Sequence, residues 1–371
     1  MSRLSEMIKE LCPDGVEYKK LGEVCEILDS QRKPVTKKDR TAGQYPYYGA
    51  NGIQDYVDKF DGIFLLVGED GSVVTEHGSP VIHWATGKIW VNNHAHILKE
   101  KEELRLRFLF HYLQTVNIRH LVKGVPPKLN QKNLLEILIP VPPLAIQNEI
   151  VKLLDNFTEL TAELTAELQL RKKQYSFYRD SLLNFSQDNT EVEWKTLGEM
   201  CRLKAGTAIA ALNISTNATA DSAVPCYGGN GLRGYVRQAN QSEDAPLIGR
   251  QGALCGNVCY ATAPYYATEH AVVVDGLGHF DNRFLFHILR NMNLSQYKTA
   301  GAQPGLSVKR LNQVHIAVPT IEAQKRIADI LDRFDTLCND LSQGLPAEIA
   351  ARKKQYEYYR DKLLTFPRKD A

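Results

Sequence analysis

The stretch Arg171-Lys-Lys-Gln-Tyr-Ser-Phe-Tyr-Arg-Asp-Ser-Leu-Leu-Asn-Phe185 returns near the end of the chain as Arg352-Lys-Lys-Gln-Tyr-Glu-Tyr-Tyr-Arg-Asp-Lys-Leu-Leu-Thr-Phe366, identical at 11 of 15 positions. Both copies read as the ends of long helices. Steps of three and four from Phe157 land on Thr161, Leu164, Leu168, Arg171, Tyr175, Tyr178, Leu182 and Phe185. A mostly apolar seam of this period is what a helix needs to pack lengthwise on another. Phe334, Leu341, Tyr356, Tyr359 and Leu363 supply the matching positions in the later copy. With two such helices in one chain, each is the simplest partner for the other.

Working outward, the rest of the chain also repeats. Val16-Glu-Tyr-Lys-Lys-Leu-Gly-Glu-Val-Cys25 matches Val192-Glu-Trp-Lys-Thr-Leu-Gly-Glu-Met-Cys201, and Arg107-Phe-Leu-Phe-His-Tyr-Leu113 matches Arg283-Phe-Leu-Phe-His-Ile-Leu289, both 176 residues apart. Between these anchors Gly68 aligns with Gly249 and His94 with His270, so segment lengths drift inside a shared frame. That pattern describes one scaffold carrying two different sets of loops. Strands are expected at 63–67, 79–83, 96–98 and 136–140, and helices at 104–113 and 280–289, with Asn130 and Ser307 as N-caps of short helices. Residues 4–11 form an amphipathic helix expected to dock near the C-terminal one.

Each lobe closes on a proline-rich stop before its long helix. The first helix should run from Gln147 to Phe185, about 60 Å at 1.5 Å per residue. The second, from Glu322 to Phe366, gains four residues around Gly344-Leu-Pro346, where glycine and proline predict a kink or a break. The first carries a tandem Thr161-Ala-Glu-Leu-Thr-Ala-Glu-Leu168.

Composition narrows the function without giving it. The 371 residues are 43% hydrophobic and 24% charged, a balance suited to soluble domains with real cores. No run is long and apolar enough for a membrane span, and the first residues lack a signal-peptide core, so a cytoplasmic protein is expected. Seven cysteines without a Cys-x-x-Cys pair suit free thiols in a reducing compartment. A net charge of only +2 means that nucleic-acid binding has to come from local patches.

Catalytic signatures are missing. There is no phosphate-binding Gly-x-x-x-x-Gly-Lys-Ser/Thr, no Gly-x-Gly-x-x-Gly, and no Asn/Asp-Pro-Pro-aromatic tetrad. His94-Ala-His96 and Cys255-x-x-x-Cys259 have ligand-type residues, but no third ligand is suitably spaced, so packing is the better reading. His94 and His270 are expected to be buried and hydrogen-bonded. Binding chemistry, by contrast, is spread through the loops. Arg32, Lys33, Lys37, Lys38, Lys123, Lys128 and Lys132 in the first lobe, and Lys298, Lys309 and Arg310 in the second, suit phosphate contacts. Tyr48, Asn51, Tyr227, Asn230, Arg250 and Gln251 suit contacts near base edges. The shared Tyr-Gly-x-Asn-Gly segment reads first as a structural turn.

The chain resembles the specificity subunit of type I restriction–modification systems over nearly its whole length. The resemblance rests on the Tyr-Gly-x-Asn-Gly segments, the Pro-rich helix starts with Gln147 and Ile150 or Gln324 and Ile327, and the two Arg-Lys-Lys-Gln-Tyr helix ends. The tandem Thr-Ala-Glu-Leu resembles the subgroup with such spacer repeats. The resemblance implies α/β (α+β) target-recognition domains in tandem pseudo-repeat, separated by two long antiparallel coiled-coil helices. The expected divisions are an N-terminal helix (1–15), a first recognition domain (16–143), a central helix (144–186), a second recognition domain (187–320) and a distal helix (321–371). It also implies double-stranded DNA with a bipartite site as the target. Two adenine methyltransferase subunits would dock on the helices and a restriction/translocase subunit would join. No catalytic residue and no metal or cofactor is expected on this chain, S-adenosylmethionine, ATP and Mg²⁺ belonging to the partners. A self-sufficient DNA-modifying or cleaving enzyme with two pseudo-repeated lobes is the rival reading.

Overall fold

The structure, a computed structural model, describes residues 2–57, 63–186, 192–252, 254–299 and 304–369. The expected boundary at 186/187 borders residues 187–191, which lie outside the described set. The chain divides into two compact units, Met1–Leu164 with Ile349–Ala371, and Thr165–Glu348.

In the first unit the apolar run Ile63–Gly68 is buried along nearly its whole length, as a strand covered on both faces must be. It lies inside a four-stranded antiparallel sheet in the order Cys25–Ile27, Ala95–Glu100, Ile63–Gly68, Ile82–Thr86. The expected strand at 79–83 therefore lies three residues later. Pro80 lacks the N–H a ladder needs and is left in a single bridge with Val74. A second sheet pairs Gly52–Val57 with Tyr45–Gly49, and the latter with the parallel Trp90–Val91. Tyr18–Lys20 pairs with Leu138–Pro140.

The second unit repeats this plan. Its four-stranded sheet runs Arg202–Ala205, Ala271–Asp275, Ala245–Gly249, Val258–Ala261, all antiparallel. Val224–Gly228 pairs with Gly231–Val236 and with the parallel Tyr266–Ala267, and Glu193–Thr196 with His315–Val318. The helices Leu106–Leu113 and Asn282–Asn291 correspond. Asn130 and Ser307 cap short helices as expected, their side chains accepting from Asn133 N and Arg310 N.

Both chain ends build the first unit. The N-terminal helix Ser2–Leu11 contributes Leu4 to a core that also holds Val16, Ile146, Ile150, Leu154, Leu363, Leu364 and Phe366. Val16 N donates to Pro367 O and Lys369 N donates to Val16 O, both at 2.9 Å. Tyr18 Oη donates to Phe366 O at 3.0 Å. The N-terminal helix thus shares its core with the last residues of the helix Leu345–Leu363.

The central helix runs unbroken from Leu144 to Leu183, 40 residues with no glycine or proline, starting right after Pro142-Pro143. The division between units falls at 164/165, between its two Thr-Ala-Glu-Leu repeats. The distal helix, where a kink or a break was expected, is broken in two: Ile321–Asn339 and Leu345–Leu363, 19 residues each. Asp340 turns the chain, its Oδ1 accepting from Ser342 N (2.7 Å) and Ser342 Oγ (2.6 Å). A side chain at Gly344 would collide with the Thr336 carbonyl, so this tight turn requires glycine.

The seam is real within each unit. In the first, Phe157 stacks on Tyr359 at 5.5 Å; in the second, Tyr175 and Tyr178 stack on Phe334 at 6.1 and 5.5 Å. Within the second unit, Arg171 and Lys172 lie near Cys338 and Tyr178 lies on Phe334, the antiparallel sense. Leu164 and Leu182 are half-buried, and Leu168, Tyr175 and Leu363 are buried. One seam assignment needs correction: Leu341 is 83% exposed because it falls in the turn that breaks the rod.

Candidate nucleic-acid interface

Each Tyr-Gly-x-Asn-Gly segment is the tip of a β-hairpin. The pairs Gly49↔Gly52 and Gly228↔Gly231 close two-residue turns, with a bulge just before the tip in both units. Gly52 and Gly231, which close the turns, hold φ of +97° and +88°, the left-handed region that favours glycine. Tyr48 and Tyr227 pack inward against core residues, and burial pushes both phenols above their ordinary range. Asn51 and Asn230 stand exposed at the tips. The turn reading is the structural one, and the tyrosines brace what the asparagines present.

Around the first tip the structure joins residues from separate predicted clusters. Arg32 forms an ion pair with Glu69 and a longer one with Asp29 (3.4 Å), while Lys128 Nζ reaches Glu69 Oε1 at 3.0 Å. The fully buried His96 places Nδ1 2.6 Å from Asp29 Oδ2 and Nε2 2.9 Å from Leu129 O. Both ring nitrogens face acceptors. Burial alone would raise the Asp29 and Glu69 carboxyls. Hydrogen bonds from His96 to Asp29, and from Arg32 and Lys128 to Glu69, outweigh it and hold both below their ordinary range. Asp29, Glu69 and His96 are close enough to hold a cation. Spacing in sequence hid that grouping, but Arg32 and Lys128 already neutralise its carboxylates. Arg32 is thus turned inward, whereas Lys33, Lys37, Lys38, Lys123 and Lys132 lie on the exposed surface.

The second unit places different residues on the same frame. Val272 stands where His96 does, and Arg250 where Glu69 does. The tip borders a cavity of about 760 Å³ lined in part by Asn230, Arg233, Gln251 and His270. Lys298 and Lys309 are exposed, and Arg310 donates to Tyr297 O at 3.2 Å. The expectation that His94 and His270 are buried fails. Their side chains are 45% and 38% exposed, paired with Asp70 and Glu269 on the rim.

Sequence reasoning missed the groups that fix these loops to the helices. Asp155 of the central helix accepts from Arg107 Nε (2.8 Å) and His111 Nε2 (2.9 Å); Asp332 of the distal helix accepts from Arg283 Nε (2.9 Å) and His287 Nε2 (2.6 Å). Arg107 also lies over the rings of Trp84 and Phe110, and Arg283 over those of Tyr260 and Phe286. Burial lowers both imidazoles despite their carboxylate partners. Both aspartates sit below the ordinary range, because the arginine and histidine outweigh a burial effect of opposite sign. The repeated Arg-Phe-Leu-Phe-His was the available signal.

Gln147 and Gln324, fully buried at the helix starts, do the same work. Gln147 Oε1 accepts from Arg105 N (2.8 Å), and Nε2 donates to Glu103 O (2.9 Å) and Pro142 O (2.8 Å). Gln324 bonds Asp281 N, His279 O and Pro319 O in the same way.

No described helix is long and apolar enough to cross a membrane, and all seven cysteines are free thiols. The family described as "Type I restriction modification DNA specificity domain" matches residues 13–171 and again 189–351. A Haemophilus influenzae chain named as a type I restriction enzyme specificity subunit is 38% identical over 388 aligned positions, 95% of this chain and 96% of that one. The EcoprrI specificity subunit of Escherichia coli is 48% identical over 208 residues, 55% of this chain and 52% of its own length. In fold, a type I S subunit from M. genitalium aligns with a TM-score of 0.69 over 94% of this chain and 96% of that one, at 17% identity. None of these relatives is named as a self-sufficient nuclease or methyltransferase, and that rival reading has no support.

Proposed function

The chain belongs to the type I restriction–modification DNA specificity family, and on that premise we propose that its two lobes each read one half of an asymmetric, bipartite double-stranded DNA site. Residues 16–143 and 187–320 are the proposed recognition domains. Residues 144–186 and 321–371 are the proposed spacer helices, with 1–15 closing the first lobe. The observation that carries this reading is one frame built twice with different chemistry at the loop ends: His96 and Glu69 on one side, Val272 and Arg250 on the other. A symmetric reader would have no use for that difference.

In this reading Lys33, Lys37, Lys38, Lys123, Lys128, Lys132, Lys298, Lys309 and Arg310 meet phosphates, and Arg32 orients Glu69 and Lys128. Asn51, Asn230, Arg250 and Gln251 face base edges. The helices dock two adenine methyltransferase subunits, and a restriction/translocase subunit completes the assembly in the cytoplasm. S-adenosylmethionine, ATP and Mg²⁺ act on those partners, and this chain contributes recognition without catalysis. The tandem Thr-Ala-Glu-Leu in an unbroken helix supports membership of the subgroup whose spacer length is set by such repeats.

The test is a lobe exchange. Residues 16–143 are replaced by those of another family member and the chain is assembled with methyltransferase subunits. Mapping methylated adenines should then show one half of a split sequence altered and the other kept. Changes in both halves, or methylation or cleavage by the chain alone, would overturn the proposal.

A further inference from the structure

Glu69 and Arg250 occupy one position in the two units. Each follows the last glycine of a buried strand, Gly68 or Gly249. Glu69 N donates to His94 O (2.8 Å) and Glu69 O accepts from Leu129 N (2.8 Å); Arg250 N donates to His270 O (2.9 Å) and Arg250 O accepts from Leu306 N (2.8 Å). The backbone is fixed alike and the side chain reverses charge. Glu69 is met by Arg32 and Lys128. No ion pair among the described residues includes Arg250, and its buried Nε has no hydrogen-bond partner there.

That orphan is not isolated. Five buried polar side-chain atoms lack a partner among the described residues, and three belong to neighbours at this spot: Arg250 Nε, Glu269 Oε2 and His270 Nδ1. Buried groups of this kind work against folding unless something satisfies them. A cavity lined in part by His270 and Gln251 adjoins this spot, and five glycines, Gly228, Gly229, Gly231, Gly252 and Gly305, form much of its floor. Such a floor lets a flat ligand edge approach closely.

We propose that Arg250 is the specificity-determining residue of the second lobe, selecting a guanine in the half-site that lobe reads. The assignment rests on the two-lobe reading above. Guanine offers two acceptors, N7 and O6, to the major groove, and a guanidinium fork matches them. At the equivalent place in the first lobe Glu69 faces its own cations, so the two lobes select different bases there.

The experiment assembles R250Q and R250K with methyltransferase subunits. Binding is measured across duplexes carrying each base change in both half-sites, at several salt concentrations. R250Q should lose about 10- to 100-fold of discrimination at one G·C pair of one half-site, leaving the other half-site and the gap unchanged. R250K keeps the charge, so overall affinity and its salt dependence should persist while that discrimination falls. If R250Q weakens every duplex alike with a salt slope smaller by about one, and R250K restores it, Arg250 is a phosphate contact and the proposal is wrong. It is equally wrong if no position changes. Failure of the unmutated assembly to discriminate any sequence would instead sink the two-lobe reading itself.

Discussion

Replacing Asp332 by alanine removes one carboxylate that holds Arg283 and His287 together, and the structure sets the size of the loss. His287 is 1% exposed and would keep a buried ring nitrogen without its acceptor. Removing one partner of a fully buried pair costs about 3–5 kcal/mol. Asp332 and Arg283 are 31% and 32% exposed, so solvent takes up part of that, and we expect about 2–3 kcal/mol. For a unit of this size the second unit's melting point should fall by about 4–12 °C. Thermal unfolding of the full chain, followed by calorimetry, is the assay. Asp155→Ala should act on the first unit in the same way, because Asp155 holds Arg107 and His111. The exposed Asp180 gives the control: Asp180→Ala should stay within about 0.5 kcal/mol. If Asp332→Ala is no worse than that control, these contacts are decoration and the account of how the loops are fixed is mistaken.

Three further outcomes follow from the same contacts. Gln147→Leu leaves Arg105 N, Glu103 O and Pro142 O without their partner and should cost about 3 kcal/mol by urea unfolding; a loss below about 1 kcal/mol would refute the anchoring role. Acid should destabilise the protein in two windows. His111 and His287 are depressed by burial, so below about pH 6.5 the unfolded chain takes up protons that the folded one refuses. Asp155 and Asp332, depressed by their cations, add a second loss below about pH 4, and a melting point flat from pH 7 to 5 would contradict the first window. Deleting residues 364–371 removes the buried Leu364 and Phe366 and both backbone bonds to Val16. That should cost the first unit about 3–6 kcal/mol and leave the second unit's transition in place; an unmoved first transition would show the joined termini to be dispensable.

Much of this was legible in the sequence because repeats carry their own control. The helix seam, several of the core strands and the caps at Asn130 and Ser307 all depend on local period and residue type, which a sequence displays directly. The break in the distal helix was half-visible: Gly344 and Pro346 marked the place, but only the side chain of Asp340, bonding Ser342 and Gln343, shows that the rod stops there. Loop chemistry was least legible. Arg32 looked like a phosphate contact, and only the fold brings Glu69 and Asp29 to it across 37 residues and 3 residues of chain. The Asp29–Glu69–His96 grouping and the orphaned atoms around Arg250 depend in the same way on long-range placement. The Arg-Phe-Leu-Phe-His motif was seen but read only as an alignment mark, since its partners Asp155 and Asp332 lie more than forty residues on.

The most direct measurement inserts a third Thr-Ala-Glu-Leu after Leu168 and maps methylated adenines made by the assembled complex. Four residues lengthen the unbroken helix by about 6 Å, just under two base pairs at ~3.4 Å each. Methylated half-sites identical to those of the parent but one or two base pairs farther apart are what two readers on a helical spacer must give. An unchanged gap, or altered half-sites at the old spacing, would contradict it.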